Sequence, residues 1–169
     1  AAEYGVTVLK GSEVDTRYGH FLVYGVTPQL TSEVNFADVS MDARELVRVA
    51  RDLGALALPA HPGRFGIGLV EFLAQGVEVP GVSIVETLNG SARKGENERA
   101  VELAQQRGYL GTGGSDAHFV SAIASCLTAF PHPLRDEREL VHALQAGDFR
   151  PVRLEETRDR AAALQGGAP

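Results

Sequence analysis

The chain lacks the features that mark several protein classes. It has one cysteine in 169 residues, so no disulfide can form within the chain and nothing in it demands an oxidising compartment. No apolar run approaches the roughly 20 residues of a transmembrane helix. The first residues, Ala1 to Tyr4, lack the basic and apolar regions of a signal peptide. These absences predict a cytoplasmic protein that makes no contact with membranes.

Basic residues are in the minority as well. The sequence has 16 Lys and Arg against 22 Asp and Glu, a formal net charge of −6. This balance disfavours binding to nucleic acid through the overall charge, although it leaves room for a local basic pocket. A hydrophobic fraction of 44% and a charged fraction of 22% are ordinary for a globular chain, and the length favours one compact domain.

Short apolar segments alternate with helical patterns along the chain. Two β-branched segments, 6–13 and 20–26, are separated only by Val14 to Gly19, a gap too short for a crossover helix. We therefore expect them to be antiparallel neighbours. The further alternation predicts an α/β protein with a mainly parallel, buried sheet or barrel. We expect strands at 55–61, 82–89, 109–118 and 124–130, and helices at 42–53, 68–76, 97–106 and 136–145.

Side chains that bind metal ions stand at the ends of these strands. The carboxyl ends of strands in α/β proteins form the rim where ligands bind. Asp116 and His118 are two residues apart, which puts both side chains on one side of an extended segment. Carboxylates and imidazoles together suit zinc, manganese or iron, so the pattern predicts a metal site. The residues that meet at this rim are Glu13, His20, His61, Glu86, Asp116 and His118.

Other polar positions have two interpretations each. Arg64 directly follows His61-Pro62-Gly63 and is either a bidentate phosphate ligand or an ordinary surface arginine. The segment from Glu96 to Arg99 has the pattern of a solvated helix start. Cys126 is enclosed by apolar strand residues, which favours a place in the core over a nucleophilic role.

Five stretches of the sequence resemble the polymerase and histidinol phosphatase (PHP) family, and they occur in the family's order. They extend to about Pro151, so the resemblance implies a PHP-like metal-binding domain at 1–151 and a C-terminal tail at 152–169. It also implies an α/β fold of the distorted (β/α)7 barrel type, with up to three divalent ions of zinc, manganese or iron. The matching stretches are GSE at 11–13, GHFLVYG at 19–25, AHPGR at 60–64, VETLNG at 85–90 and GSDAH at 114–118.

The resemblance also implies a role for each matched residue. Glu13 corresponds to the carboxylate that bridges two metal ions, with His20 and His61 as terminal ligands of one of them. Asp116 corresponds to a ligand of the second ion and His118 to a ligand of the third. The catalytic residues implied are Glu13, Asp116 and His118, the substrate-binding residues are Arg64 and Asn89, and Glu86 is a further ligand or a supporting residue.

One part of the family pattern has no counterpart. Family members open with a strand that carries a His-x-His pair, and no such segment precedes Ala1. At roughly 30 residues per strand-helix unit, the resemblance implies a partial barrel that lacks about the first two units. Such a barrel has an uncovered edge. We therefore expect either a piece of a longer protein or a chain whose edge is covered by another chain.

The function that the resemblance implies is hydrolysis of a phosphate ester by metal-activated water. We expect a small phosphorylated substrate and at least one divalent ion. The first alternative is a degenerate, non-catalytic PHP module that acts as a scaffold or binds a partner. The second is a metal-dependent amidohydrolase, which is disfavoured because no lysine clearly serves as a carbamylated bridging ligand.

Overall fold

The computed structural model describes residues 2–157, so residues 158–169 of the predicted tail lie outside the described part. Strands and helices alternate along this part of the chain. The strands are β1 (Gly11–Thr16), β2 (Gly19–Tyr24), β3 (Leu56–Pro59), β4 (Ile84–Asn89), β5 (Leu110–Gly114), β6 (Cys126–Ala129) and β7 (Arg150–Arg153). The helices are α1 (Pro28–Glu33), α2 (Ala43–Asp52), α3 (Leu69–Leu73), α4 (Glu96–Arg107) and α5 (Glu137–Ala146).

The predicted N-terminal hairpin is confirmed, but its first strand starts later than expected. β1 and β2 pair antiparallel from Gly11 opposite Tyr24 to Thr16 opposite Gly19. Residues 6–10 have no partner strand among the described residues, and the side chains of Val6 and Val8 are exposed there. β1 extends over the residues that pair with β2, from Gly11 to Thr16. Glu13 therefore lies in the middle of β1 and not at its end.

The described strands form three small sheets with no closed barrel. β2 lies between β1 and β3 and pairs antiparallel with both. β1 and β3 therefore run in the same direction, and β2 runs in the opposite one. β6 and β7 are also antiparallel. Only β4 and β5 are parallel, so the prediction of a mainly parallel sheet is wrong for the described residues, and the mixed α/β class holds.

Side chains and single backbone bonds join the three sheets. The backbone nitrogen of His61, just after β3, donates to the side chain of Glu86 in β4 at 2.8 Å, which joins the first sheet to the β4 and β5 pair. Thr128 of β6 joins β5, since its hydroxyl accepts from the nitrogen of Gly113 and donates to that residue's oxygen, both at 2.9 Å. These links place the ends of β3, β4 and β5 next to one another.

Helix α2 buries its apolar stripe on one face of the first sheet. The side chain of Asp42 caps α2 by accepting from the backbone nitrogen of Arg44 at 2.9 Å. Leu46 of this helix is fully buried in the same cluster as Phe21 and Val23 of β2. No helix within residues 2–157 combines the length and apolar character needed to cross a bilayer.

The opposite face of β2 carries the polar residues. Successive strand side chains alternate between faces, so His20 shares a face with Leu22 and Tyr24. Glu13 lies directly opposite Leu22 in the ladder and therefore joins that face. Leu22 and Tyr24 pack against a second apolar cluster that includes Leu144 of α5. The period of two thus separates an apolar face under α2 from a face that carries ionisable groups.

Candidate metal centre

Three predicted ligands converge on this second face. Glu13 Oε1 lies 3.0 Å from His20 Nδ1 and 3.1 Å from His61 Nε2. One ligand atom from each of the three residues lies within 4.8 Å of the others. The rings of His20 and His61 meet edge to face with centroids 5.0 Å apart. One carboxylate oxygen and two imidazole nitrogens form a donor set that suits a divalent transition-metal ion.

His61 is buried and presents one ring nitrogen to Glu13 and the other to a different side. Its Nδ1 atom is buried and has no hydrogen-bond partner among residues 2–157. Buried polar side-chain atoms in folded proteins nearly always have a partner, because an unpaired one costs about 1–3 kcal/mol. Because Nε2 of His61 is the nitrogen that faces Glu13, the fit of the three residues to a cation rests on their donor chemistry.

The two histidines also set the charge of Glu13. The hydrogen bond with His61 lowers the pKa of the Glu13 carboxyl to about 2, and His20 adds to this effect against the opposing effect of burial. Glu13 is therefore ionised at neutral pH. An ionised carboxylate between two imidazoles is ready to bind a positive ion.

A second polar cluster lies at the ends of β4 and β5. The buried carboxylate of Glu86 accepts from the backbone nitrogen of His61 at 2.8 Å and from Asn89 Nδ2 at 3.0 Å. Asn89 Nδ2 lies 3.3 Å from Asp116 Oδ2, and Arg64 Nη2 donates to that same oxygen at 2.7 Å. Burial raises the pKa of Glu86, and the hydrogen bonds from Asn89 and His61 oppose that shift.

The backbone is strained at two of these positions. Among the described non-glycine residues, positive φ angles occur at His61 (29°), Asp116 (47°) and Ala124 (65°). A side chain in this left-handed region costs on the order of 1–3 kcal/mol and persists only where the surroundings impose it. At His61 the hydrogen bond to Glu86 contributes to that restraint. Such strain clusters at functional sites.

One cavity connects the metal-ligand group with the second cluster. It has a volume of about 200 Å³ and is lined by Glu13 and His61 on one side and by Glu86, Asn89 and Asp116 on the other. A larger cavity of about 720 Å³ lies between the segment after β6 and α5, and none of the predicted ligands lines it. The smaller cavity is therefore the one that coincides with the ionisable groups.

The structure separates the predicted site residues into two sets. Glu13, His20 and His61 form the only group of three candidate ligands among residues 2–157. Asp116 is outside that group. His118 is 75% exposed, and its Nδ1 donates to the backbone oxygen of Asp116 at 2.9 Å. Metal binding by Asp116 and His118 stays a prediction.

The first turn of α4 holds the loops of the site, which sequence reasoning missed. Glu96 is only 4% exposed, and its carboxylate accepts from the backbone nitrogens of Phe65 at 3.1 Å and Arg93 at 2.8 Å. The prediction of a solvated helix start is wrong here, because Glu96 is buried and satisfies the backbone donors of Phe65, in a distant loop, and of Arg93, just before the helix. Its place in the polar first turn after Gly95 gave a weak signal, but the sequence does not show those partners.

Neighbouring residues of this turn make similar contacts. Asn97 accepts from the backbone nitrogen of Asn89 at 2.9 Å and donates to the backbone oxygen of Asn89 at 3.0 Å. Arg99 donates to the backbone oxygen of Gly63 at 2.9 Å. A Cβ atom at Gly63 would lie 1.9 Å from the Glu96 backbone oxygen, so only glycine allows this approach. The start of α4 therefore positions the segments that carry Arg64 and Asn89.

Comparisons with known proteins agree with this geometry. A model of the family described as PHP-associated matches residues 94–149. PsfC from Pseudomonas syringae PB-5123 has a similar fold, with a TM-score of 0.65 and 20% identity over 85% of this chain. The chain spans only 58% of PsfC.

A second solved structure is similar over more of its own length. It is a protein from Bifidobacterium adolescentis ATCC 15703 that is provisionally described as a metal-dependent phosphoesterase. The TM-score is 0.52 at 16% identity, over 92% of this chain and 80% of that protein. No curated protein sequence matches this chain. At these identities the two structures show a common fold, and with the family match they confirm the resemblance to the PHP family.

Proposed function

Given this PHP-type fold, we propose that the chain is a metal-dependent phosphoesterase, or the metal-binding part of one. The observation that supports this most strongly is the convergence of Glu13, His20 and His61 beside a cavity that Glu13 and His61 line together with Asp116 and Asn89. One wall suits a divalent cation, and Asn89 and the nearby Arg64 are nitrogen donors suited to an anion. A phosphate ester needs both.

The proposal includes the finer fold. The chain forms part of a distorted (β/α)7 barrel over residues 1–151, with the first sheet, the β4 and β5 pair and the β6 and β7 pair as successive sections of its wall. The links from His61 to Glu86 and from Thr128 to Gly113 support this order. β1 is then an open edge, because it pairs only with β2 among the described strands. A further segment of a longer protein, or another chain, covers that edge.

The residues of the site have separate tasks in this proposal. Glu13, His20 and His61 would hold the divalent ion, which would supply the Lewis acidity for activating water and for neutralising charge on phosphoryl oxygens. Arg64 donates hydrogen bonds to those oxygens through the guanidinium N–H groups that Asp116 leaves free, and Asn89 donates to them by exchanging its long contact with Asp116 for the substrate. We assign Asp116 to holding these donors and His118, exposed at the rim, to giving a proton to the leaving oxygen.

The size of the cavity fits a phosphate group. Its volume of about 200 Å³ is several times the roughly 30 Å³ that a water molecule occupies in the liquid. A phosphoryl group with a few waters fills it, and the remainder of the substrate stays outside. A small phosphorylated molecule is therefore the proposed substrate class.

One observation favours a second candidate function. Residues 2–157 contain a single group of three candidate ligands, whereas the family pattern implies two or three ions. This difference favours a non-catalytic PHP module that serves as a scaffold. The two functions differ in whether the chain, supplied with metal, turns over a substrate.

Hydrolysis of an aryl phosphate with added manganese or zinc distinguishes the two functions. We expect metal-dependent turnover by the wild type and its loss in Glu13→Gln. Metal affinity should fall about 100-fold or more in that variant, since even residues that only support metal ligands contribute 10–100-fold. Glu45→Gln removes an exposed carboxylate on α2 and is the matched control. Metal binding without turnover would favour the scaffold, and unchanged metal content in Glu13→Gln would refute the assignment of the centre.

A further inference from the structure

We propose that Arg64 takes the place of a second metal ion at Asp116, so that each chain binds one divalent ion and uses a guanidinium as the second positive charge. The inference rests on the proposed metal centre and specifies how many ions it holds. It concerns Glu86, Asn89 and Asp116, which line the cavity together with Glu13 and His61, and the side chain of Arg64, which contacts Asp116.

The oxygen of Asp116 that faces this cluster already has two nitrogen partners. Arg64 Nη2 lies 2.7 Å from Asp116 Oδ2, and Asn89 Nδ2 lies 3.3 Å from the same atom. The side chains of Asp116 and Arg64 are 14% and 23% exposed. Partial burial reduces screening by solvent, so this ion pair is stronger than one on the surface. A metal ion at Asp116 Oδ2 would have to displace the guanidinium.

The amide of Asn89 is fixed with its donor end toward the carboxylates. Its Oδ1 accepts from the backbone nitrogen of Ser91 at 2.9 Å, which leaves Nδ2 directed at Glu86 and Asp116. Two carboxylates therefore meet at one amide nitrogen. Such a pair needs a positive charge, and Arg64 supplies it.

Arg64 is held in place by its own backbone. Its nitrogen donates to the backbone oxygen of His61 at 2.9 Å, and its oxygen accepts from the nitrogen of Gly68 at 2.8 Å. The following residue, Phe65, is bound to Glu96. The preceding residue, Gly63, lies against the first turn of α4. A side chain on such a restrained loop loses less freedom in forming the pair with Asp116 than a surface arginine does.

The metal-ligand group has no comparable internal cation. Glu13 contacts only the imidazoles of His20 and His61 in the described hydrogen-bond network, and imidazole binds a metal when it is neutral. The two sides of the cavity thus differ in chemistry. One offers lone pairs to an ion, and the other has its positive charge built into the chain.

Metal content per chain tests this inference. Purified protein is loaded with zinc or manganese, freed of excess metal and measured by elemental analysis. We expect one ion in the wild type and one in Asp116→Asn, because Asp116 is not a ligand. We expect two ions in Arg64→Met and in Arg64→Gln, where the carboxylate of Asp116 loses its guanidinium partner beside Glu86. Arg64→Met combined with Asp116→Asn should return to one ion.

A control arginine and the remaining outcomes complete the test. Arg48→Met changes an exposed arginine on α2 and should leave one ion. Two ions in the wild type that fall to one in Asp116→Asn would overturn the inference and leave the metal centre intact. One ion in both Arg64 variants, with native circular dichroism, would also overturn it. No ion in any protein would refute the metal centre itself.

Discussion

Replacement of Glu96 by glutamine should destabilise the protein far more than its place in the sequence suggests. Glu96 lies in the first turn of α4, where carboxylates usually face solvent and interact with the helix dipole. Here it is buried and binds the backbone nitrogens of Phe65 and Arg93. Those two nitrogens belong to segments on either side of the candidate site.

The expected loss follows from these two bonds. A hydrogen bond to a charged group contributes about 1.5–3 kcal/mol. Glutamine keeps one acceptor oxygen, but its NH2 group faces a second backbone N–H that then has no acceptor. We therefore expect Glu96→Gln to lower the free energy of unfolding by about 2–3 kcal/mol at pH 7.

A matched control lies two residues further along the helix. Glu98 is exposed in the same turn, so Glu98→Gln removes the same charge from the same end of the helix. The loss of the interaction with the helix dipole should cost about 0.3–1 kcal/mol in both variants. Urea unfolding followed by circular dichroism gives both values. The additional loss of unfolding free energy in Glu96→Gln, compared with Glu98→Gln, then measures the contribution of the two backbone hydrogen bonds.

The pH dependence of the unfolding free energy tests whether the ionised carboxylate of Glu96 stabilises the fold. Burial alone raises the pKa of Glu96, but the backbone hydrogen bonds from Arg93 and Phe65 outweigh it, and the pKa lies below the ordinary glutamate value of 4.5. The stability that the carboxylate contributes is thus fully present above pH 4.5 and lost as the pH falls through the lowered pKa. The difference in unfolding free energy between the wild type and Glu96→Gln should therefore decrease only in acid. Equal losses in Glu96→Gln and Glu98→Gln at pH 7 would refute this reasoning.

Two further predictions concern the core. Leu46→Ala, at a fully buried position of α2, should lower the free energy of unfolding in urea by about 2–5 kcal/mol. Arg48→Ala, at an exposed position of the same helix, should lower it by less than about 0.5 kcal/mol. Similar losses in the two variants would contradict the burial of Leu46. Burial raises the pKa of the Cys126 thiol, so this thiol should react with an aromatic disulfide reagent only when urea unfolds the chain. Reaction in the native state at the rate of a free thiol would show that the residue is accessible.

Local signals in the sequence predicted much of the fold. The short gap before His20 predicted the hairpin, and Asp42 and Gly108 mark helix ends that the structure shows within a residue or two. The helix α1 was missed because it is six residues long and buries only Leu30. Its signal was the capping residue Thr27 followed by Pro28. β7 was missed because its pairing with β6 depends on residues far apart in sequence.

The site could be predicted where residue types in the sequence indicate it, and not where it depends on contacts between distant residues. Metal-ligand residue types at strand ends indicated Glu13, His20 and His61, and these three do converge. The ion pair of Arg64 with Asp116 joins residues 52 positions apart, and residue type gives no such distance. The buried role of Glu96 depends in the same way on partners that only the folded chain brings together.

The positive φ angles at His61 and Asp116 lower the stability of the fold at two residues that the proposed activity needs. Glycine adopts positive φ without steric cost, so glycine at either position would relieve strain that the present side chains impose. A screen for heat resistance alone would therefore tend to discard two residues that the proposed chemistry needs. Random variants enriched by thermal selection should include inactive proteins altered at these positions, and consensus-style stabilisation of this chain should leave both untouched.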